Sequence, residues 1–229
     1  MNFLFIIFSF FSFCIFSLGA GVYLKKPSKS SLVFFFLCFS AAIWVFGVIF
    51  YAYPFFKESW KVGKIAFLGS SFLGAFLLYF FQIFPQKKFL PTFLNLIIIL
   101  PLLIIGILSP FTDLVVRNVI YTDSFIVKKE YGILYPLFTF FFLASLILSF
   151  YVGLTKVKIL KGVSQLQMKY LLMGFVLSFL VGTFTNLICP FFKIGPPNIS
   201  QYGPLSLIFF IPLSAIAILK YHLFEIKVI

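Results

Sequence analysis

Residues 63–109 read GKIAFLGSSFLGAFLLYFFQIFPQKKFLPTFLNLIIILPLLIIGILS. Two apolar runs, 63–84 and 92–109, flank PQKKFLP (85–91), a short basic stretch bracketed by prolines. A helix crosses a bilayer with about 20 apolar residues, at ~1.5 Å of rise each. Lys64, at the edge of the first run, is the only charge in either. The pair therefore reads as two membrane helices joined by a tight turn.

The same pattern extends outward to both termini. Further apolar runs lie at 2–24, 31–53, 131–154, 170–192 and 203–221. Short polar punctuation separates them: KKPSKS (25–30), PFFKESWK (54–61), then 110–130, 155–169 and 193–202. The expected fold is all-α, a polytopic seven-transmembrane helix bundle, with residues 1–229 forming a single domain and no cytoplasmic output domain among them. No repeat of 20–50 residues is visible.

Composition excludes the soluble classes. Of 229 residues, 62% are hydrophobic and only 10% are charged, and mean hydropathy is +1.16. A soluble domain carries about a quarter charged residues. The first twenty residues lack the basic start of a signal peptide and their apolar run is too long for one, so a retained first span is expected.

Charge placement sets the orientation. With the N-terminus outside, the inner segments hold 11 basic residues (Lys25, Lys26, Lys29, Lys87, Lys88, Lys156, Lys158, Lys161, Lys169, Lys220, Lys227) and one acid, Glu225. The outer segments hold seven basic residues (Lys57, Lys61, Lys64, Arg117, Lys128, Lys129, Lys193) and four acids (Glu58, Asp113, Asp123, Glu130). Cytoplasmic loops favour Lys and Arg, so the count favours N-out and C-in. A net charge of +13 would suggest nucleic acid in a soluble protein. Beside membrane spans it serves topology and contact with lipid headgroups, and no nucleic-acid partner is expected.

Three runs carry small residues at every fourth position, on one helix face. These are Ala66, Ser70 and Gly74; Ser145, Ser149 and Gly153; and Gly174, Ser178 and Gly182. Helix association in lipid depends on close backbone approach, so bundle packing is the plain reading and a sliding interface the functional one. Pro101 and Pro212 sit mid-span, where they kink or loosen a helix.

Catalytic chemistry finds little to work with. No Asp, Glu, Arg or His lies inside a span, and Lys64 and Lys220 sit at span ends, from where they reach the interface. Pumps and voltage sensors need buried ionisable groups. His222 has no metal-ligand spacing around it, and Cys14, Cys38 and Cys189 fall singly in apolar runs as small core residues. No catalytic, cofactor or metal site is expected. The neutral polar groups Gln82, Asn95, Thr183, Thr185 and Asn186 fit interhelical hydrogen bonds or a ligand cavity. Asn198-Ile199-Ser200, beside Pro196 and Pro197, reads as a turn.

Outside the spans, three segments stand out. LVVRNVIY and FIVKKEY flank Thr122-Asp123-Ser124, which predicts a hairpin over the mouth of the bundle, either capping it or recognising a solute. The basic 155–169 segment is expected to lie along the inner membrane surface. The last run leaves through AIAILKYHLFEIKVI (215–229) without a Gly cap or polar tail, an exit suited to relaying a signal.

These motifs together resemble the N-terminal seven-transmembrane region of bacterial sensor histidine kinases, nearly end to end. Trp44 in SAAIWVFG is similar to that family's second-span tryptophan, and Phe84-Pro85 to its third-span exit. In EYGILYPLF, Tyr131, Gly132, Tyr135 and Pro136 match the approach to the fifth span. KYLLMG, with Gln165 or Gln167 before it, resembles the start of the sixth span. NLICPFF, with Asn186 and Pro190, then YGPLSLIFF follow, where Tyr202, Gly203 and Pro204 mark a helix start.

The resemblance implies a sensory input module in the bacterial cytoplasmic membrane, N-out and C-in. It would relay a stimulus through the seventh helix to a cytoplasmic signalling protein or output domain, with the lipid bilayer and a second copy in a homodimer as further partners. Kinase members continue into a phosphoacceptor helix and an ATP-binding domain, and nothing around His222 is a phosphoacceptor box. The competing reading is a small permease or channel for a neutral or lipophilic solute. A structural protein that has lost its output is the third.

Overall fold

The computed structural model describes residues 3–52, 58–85, 91–122, 125–192, 194–195 and 199–221. Lys57, the 86–90 linker, Asp123 and Ser124, Lys193, the 196–198 turn and the stretch from His222 onward lie outside them, as do the side chains of Pro190 and Lys220.

Apolar runs become helices because lipid offers no partner to backbone N–H and C=O groups. The chain forms α1 (Phe3–Lys25), α2 (Lys29–Ala52), α3 (Ser59–Gly63), α4 (Ile65–Ile83) and α5 (Thr92–Leu108). Strands β1 (Val116–Thr122) and β2 (Phe125–Tyr131) follow, then α6 (Tyr135–Ile159) and α7 (Gly162–Thr183). A π-helical turn (Phe184–Ile188) leads into α8 (Cys189–Phe192), and a 3-10 segment (Ile199–Ser206) into α9 (Leu207–Tyr221). Among the described residues, five helical stretches are long and apolar enough to cross a membrane, and Phe93–Leu108 and Tyr202–Ile218 are shorter apolar helices.

Local chemistry sets the boundaries. At the start of α2, Ser28 and Ser31 cap each other: the Ser28 N–H donates to Ser31 Oγ at 2.8 Å and the Ser31 N–H to Ser28 Oγ at 3.1 Å. Pro136 occupies the first turn of α6, where its missing N–H costs nothing. The basic segment expected along the membrane surface is instead the last turn of α6, a sharp reversal and the first turns of α7. Gly162, at φ 64°, makes the reversal in the left-handed region, and Gln165 Nε2 donates across it to Val157 O at 2.9 Å. The approach to the fifth span also differs from expectation. Tyr131 ends β2, and α6 begins only at Tyr135.

Contact positions give each helix its direction. Gly47 meets Ala66 and Gly69 meets Trp44, so α2 and α4 run antiparallel. Gly106 meets Ser71, and Asn95 Nδ2 donates to Gln82 Oε1 at 2.6 Å, making α4 and α5 antiparallel as well. Gly74 meets Ser145 while Gly153 meets Phe81, so α4 and α6 are parallel. Gly174 meets Phe210 and Gly182 meets Ser206, so α7 and α9 are antiparallel.

The surface is inverted relative to a soluble protein. Phe10, Phe13, Phe93, Phe140, Ile147 and Leu180 all point outward, as a lipid-facing belt requires. Pro101 and Pro212 both sit inside continuous helices.

Candidate functional site: a cavity beneath the hairpin

The antiparallel β1–β2 hairpin lies across one end of the bundle. Val115, Val116 and Val119 bury their side chains in a cluster with Trp60 of α3, Leu102 and Ile105 of α5, and Phe138 of α6. Backbone bonds tie down its base: the Gly132 N–H donates to Val115 O at 2.9 Å and the Leu134 N–H to Leu114 O at 2.8 Å. Gly132 approaches the backbone of Asp113 and Leu114 so closely that a Cβ would strike their carbonyls. Lys64, between α3 and α4, supplies the remaining anchor. Its ammonium donates to Asp113 Oδ1 at 2.5 Å and to Thr112 O at 3.0 Å.

Lys64 corrects the expectation of a side chain reaching toward the interface, because it is only 4% exposed. A partner carboxylate and carbonyl are within its reach, so it satisfies its charge inward. That ammonium in turn holds the Asp113 carboxyl below its ordinary range, by hydrogen bond first and charge second.

Under the hairpin, five helices enclose a cavity of about 120 Å³. Leu37, Ala41, Trp44, Val48 and Tyr51 of α2 form one wall, spaced three or four residues apart and so on one helix face. Ala66, Phe67, Ser70 and Leu73 come from α4, Phe138 and Phe142 from α6, and Phe175, Ser178 and Phe179 from α7. Ser206, Leu207 and Phe210 bring in the start of the last helix. Away from the hairpin the space closes on packed rings. Phe210 lies 6.3 Å from Phe34 and 5.7 Å from Phe175, and Phe34 lies 5.7 Å from Phe80, centroid to centroid.

Polar groups gather at two places on this apolar wall. At the mouth, strand alternation puts Lys129 and Tyr131 of β2 on one face, and both line the cavity with Tyr135. The Lys129 ammonium sits 5.2 Å from the centre of the Tyr51 ring, a cation–π distance. Residue 129 as a whole is half-buried, but its charged tip is closely surrounded, and burial pushes that ammonium down to about 8. Tyr131 and Tyr135 stack with centroids 3.8 Å apart, and burial raises the Tyr131 phenol. The second polar place is where α7 meets the 3-10 segment. Ser178 Oγ donates to Ser206 O at 2.9 Å, and Thr183 and Asn186 line the wall beside it. Asn186 belongs to the π turn and donates through Nδ2 to Gly182 O at 2.9 Å.

The positions singled out in the sequence divide between the two ends. Trp44, Tyr131 and Asn186 line the cavity, and Gly203 and Pro204 are buried in the 3-10 segment beside it. Phe84 and Pro85 lie at the far end, where Lys156 donates to Gln82 O at 2.9 Å and Phe84 O at 2.8 Å. These are the last carbonyls of α4, and a cation is well placed there. Ala66, Ser70 and Gly74, Ser145, Ser149 and Gly153, and Gly174, Ser178 and Gly182 are all buried. Four of them, Ala66, Ser70, Ser178 and Gly182, also line the cavity.

Tyr51, Lys129 and the Phe138, Phe142 and Phe179 rings were not legible as a site. Alternation through Lys129 and Tyr131 was the available signal. Among the described residues no three His, Cys, Asp or Glu side chains gather as a metal site. A family model described as the N-terminal 7TM region of histidine kinase matches residues 7–227. No curated protein matches the chain.

Proposed function

Because the chain belongs to the family of N-terminal seven-transmembrane regions of histidine kinases, we propose that it perceives a stimulus in the cavity beneath the hairpin and relays it through α9 to a cytoplasmic output. The protein is an integral membrane protein of the bacterial inner membrane, and its family is a sensory input region rather than a catalytic domain. In the proposed arrangement seven spans cross the bilayer, counting α5 and the 3-10 segment with α9, and the hairpin and N-terminus face outward.

One observation carries this reading. The cavity shares its wall between the hairpin, through Lys129 and Tyr131, and the start of the last described helix, through Ser206, Leu207 and Phe210. In this reading a change at the mouth acts on α9 through the shared wall. The aromatic floor of Phe34, Phe80, Phe175 and Phe210 favours this reading over a permease, since a transport path has to continue beyond the site.

A relay needs two arrangements of α9 whose balance the cavity alters. Spin labels at Phe93 of α5 and Ile216 of α9, both on the surface, report that balance in phosphatidylcholine nanodiscs. Two distance populations are expected, with their ratio changed by the cavity-filling A41F substitution. A single distance that A41F leaves unchanged contradicts the relay.

A further inference from the structure

We infer that the cavity is a binding site for a small anionic amphiphile, a carboxylate on a compact aromatic or branched apolar body, with the acid group at Lys129 and the body against Trp44, Phe142 and Phe179. The inference rests on the sensory reading above and gives it a ligand class.

Size, polarity and sign each narrow the choice. A cavity of about 120 Å³ is somewhat smaller than the ~150 Å³ that holds benzene, so the buried body is at most a single ring, with the acid group at the open mouth. Aromatic rings dominate the wall, and offset or edge-on ring packing rewards a flat apolar guest. Among the described residues no Asp or Glu lines the cavity, and Lys129 is its one Lys or Arg. Lys129 thus brings a positive charge to the mouth, Ser178, Thr183, Asn186 and Ser206 add neutral polar groups on the α7 side, and Phe175 and Phe210 line the apolar remainder.

That polarity orients the guest. The Lys129 ammonium lies over the Tyr51 ring at the cavity mouth, where an incoming carboxylate adds a charge-assisted hydrogen bond. The tail meanwhile displaces water from apolar wall, which supplies the bulk of the affinity. A neutral molecule of the same shape loses the first contribution. A cationic one is repelled.

The chain holds two tryptophans, Trp44 and Trp60, and only Trp44 lines the cavity. With W60F as the background, Trp44 fluorescence reports occupancy of the full chain in phosphatidylcholine nanodiscs. Titration with phenylacetate should give a saturable change, with 2-phenylethanol and phenethylamine each at least tenfold weaker. K129M should weaken phenylacetate at least tenfold, and K129R should restore most of the loss. Calorimetry on the unsubstituted chain serves as the second measurement should W60F unfold.

No saturable response to phenylacetate, an equal response to phenethylamine, or an unchanged affinity in K129M overturns the inference. The two claims fail separately. Absence of binding alongside two α9 populations that respond to A41F removes the ligand class and leaves the sensory reading. Binding with a single fixed α9 distance upholds the ligand and removes the relay.

Discussion

Asn186 and Gly203 lie in direct contact: the Asn186 amide occupies the place where a side chain on residue 203 would begin. The two residues come from separate stretches, the π turn and the 3-10 segment, and they clamp α7 to the start of α9 at the cavity wall. G203A should therefore destabilise the protein by about 1–3 kcal/mol through overpacking. N186A in the same chain should recover most of that, a non-additive pair. Thermal unfolding of the two single variants and the double variant checks this. Additive losses would show that the contact is not what excludes a side chain at 203.

Lys64 and Asp113 fasten the hairpin, so D113N should loosen it without unfolding the bundle. Hydrogen exchange at the Gly132 amide, which bonds Val115, is expected to speed up several-fold. The helical amides of α4 should not change. Asp113 has a folded-state pKa below its ordinary value. Its contribution is present above ~pH 4 and is lost as pH falls through the lowered pKa. Protection of Gly132 should thus hold at neutral pH and fade only in acid.

At the other end, Lys156 closes the last turn of α4. K156M leaves the Gln82 and Phe84 carbonyls without this charged donor and should cost about 1.5–3 kcal/mol. K158M, two residues on and exposed, should stay within about 0.5 kcal/mol of the parent. Equal melting temperatures for K156M and the parent would remove Lys156 from the architecture.

The orientation has its own check. Phe111 beside the hairpin is 84% exposed and Val163 at the start of α7 is 56% exposed. A membrane-impermeant maleimide should label F111C in intact cells and V163C only after lysis. The opposite pattern would invert the bundle.

The five long apolar helices were legible because bilayer thickness converts directly into run length, and lipid leaves helix as the economical way to satisfy the backbone. The hairpin was legible too, since LVVRNVIY and FIVKKEY sit on either side of a polar turn. The cavity was not. Its wall residues recur at ordinary helical spacing on five helices, so Trp44, Phe142 and Phe179 read like any core aromatics. Lysines misled most. Lys64 and Lys156 count equally with Lys61 and Lys158 in a charge tally, and only tertiary contacts show that the first pair turns inward. The small-residue stripes marked the α4 side of the α2–α4 contact through Ala66, which meets Gly47, but did not include Gly47 or Gly69 themselves. Neither glycine belongs to a four-residue series.

The most direct test of the proposed relay is to lock α7 to the segment that opens α9, in a chain that carries a histidine kinase output, and to read that kinase. A Cβ on residue 182 would lie 3.9 Å from the Ser206 Cβ, the spacing of a disulfide. With Cys14, Cys38 and Cys189 replaced, the G182C and S206C pair is oxidised in native membranes and phosphoryl transfer from ATP is measured before and after reduction. The account predicts that cross-linking fixes kinase activity at one level and that reduction restores its response. Activity that is the same with the cross-link complete and with it reduced would contradict it.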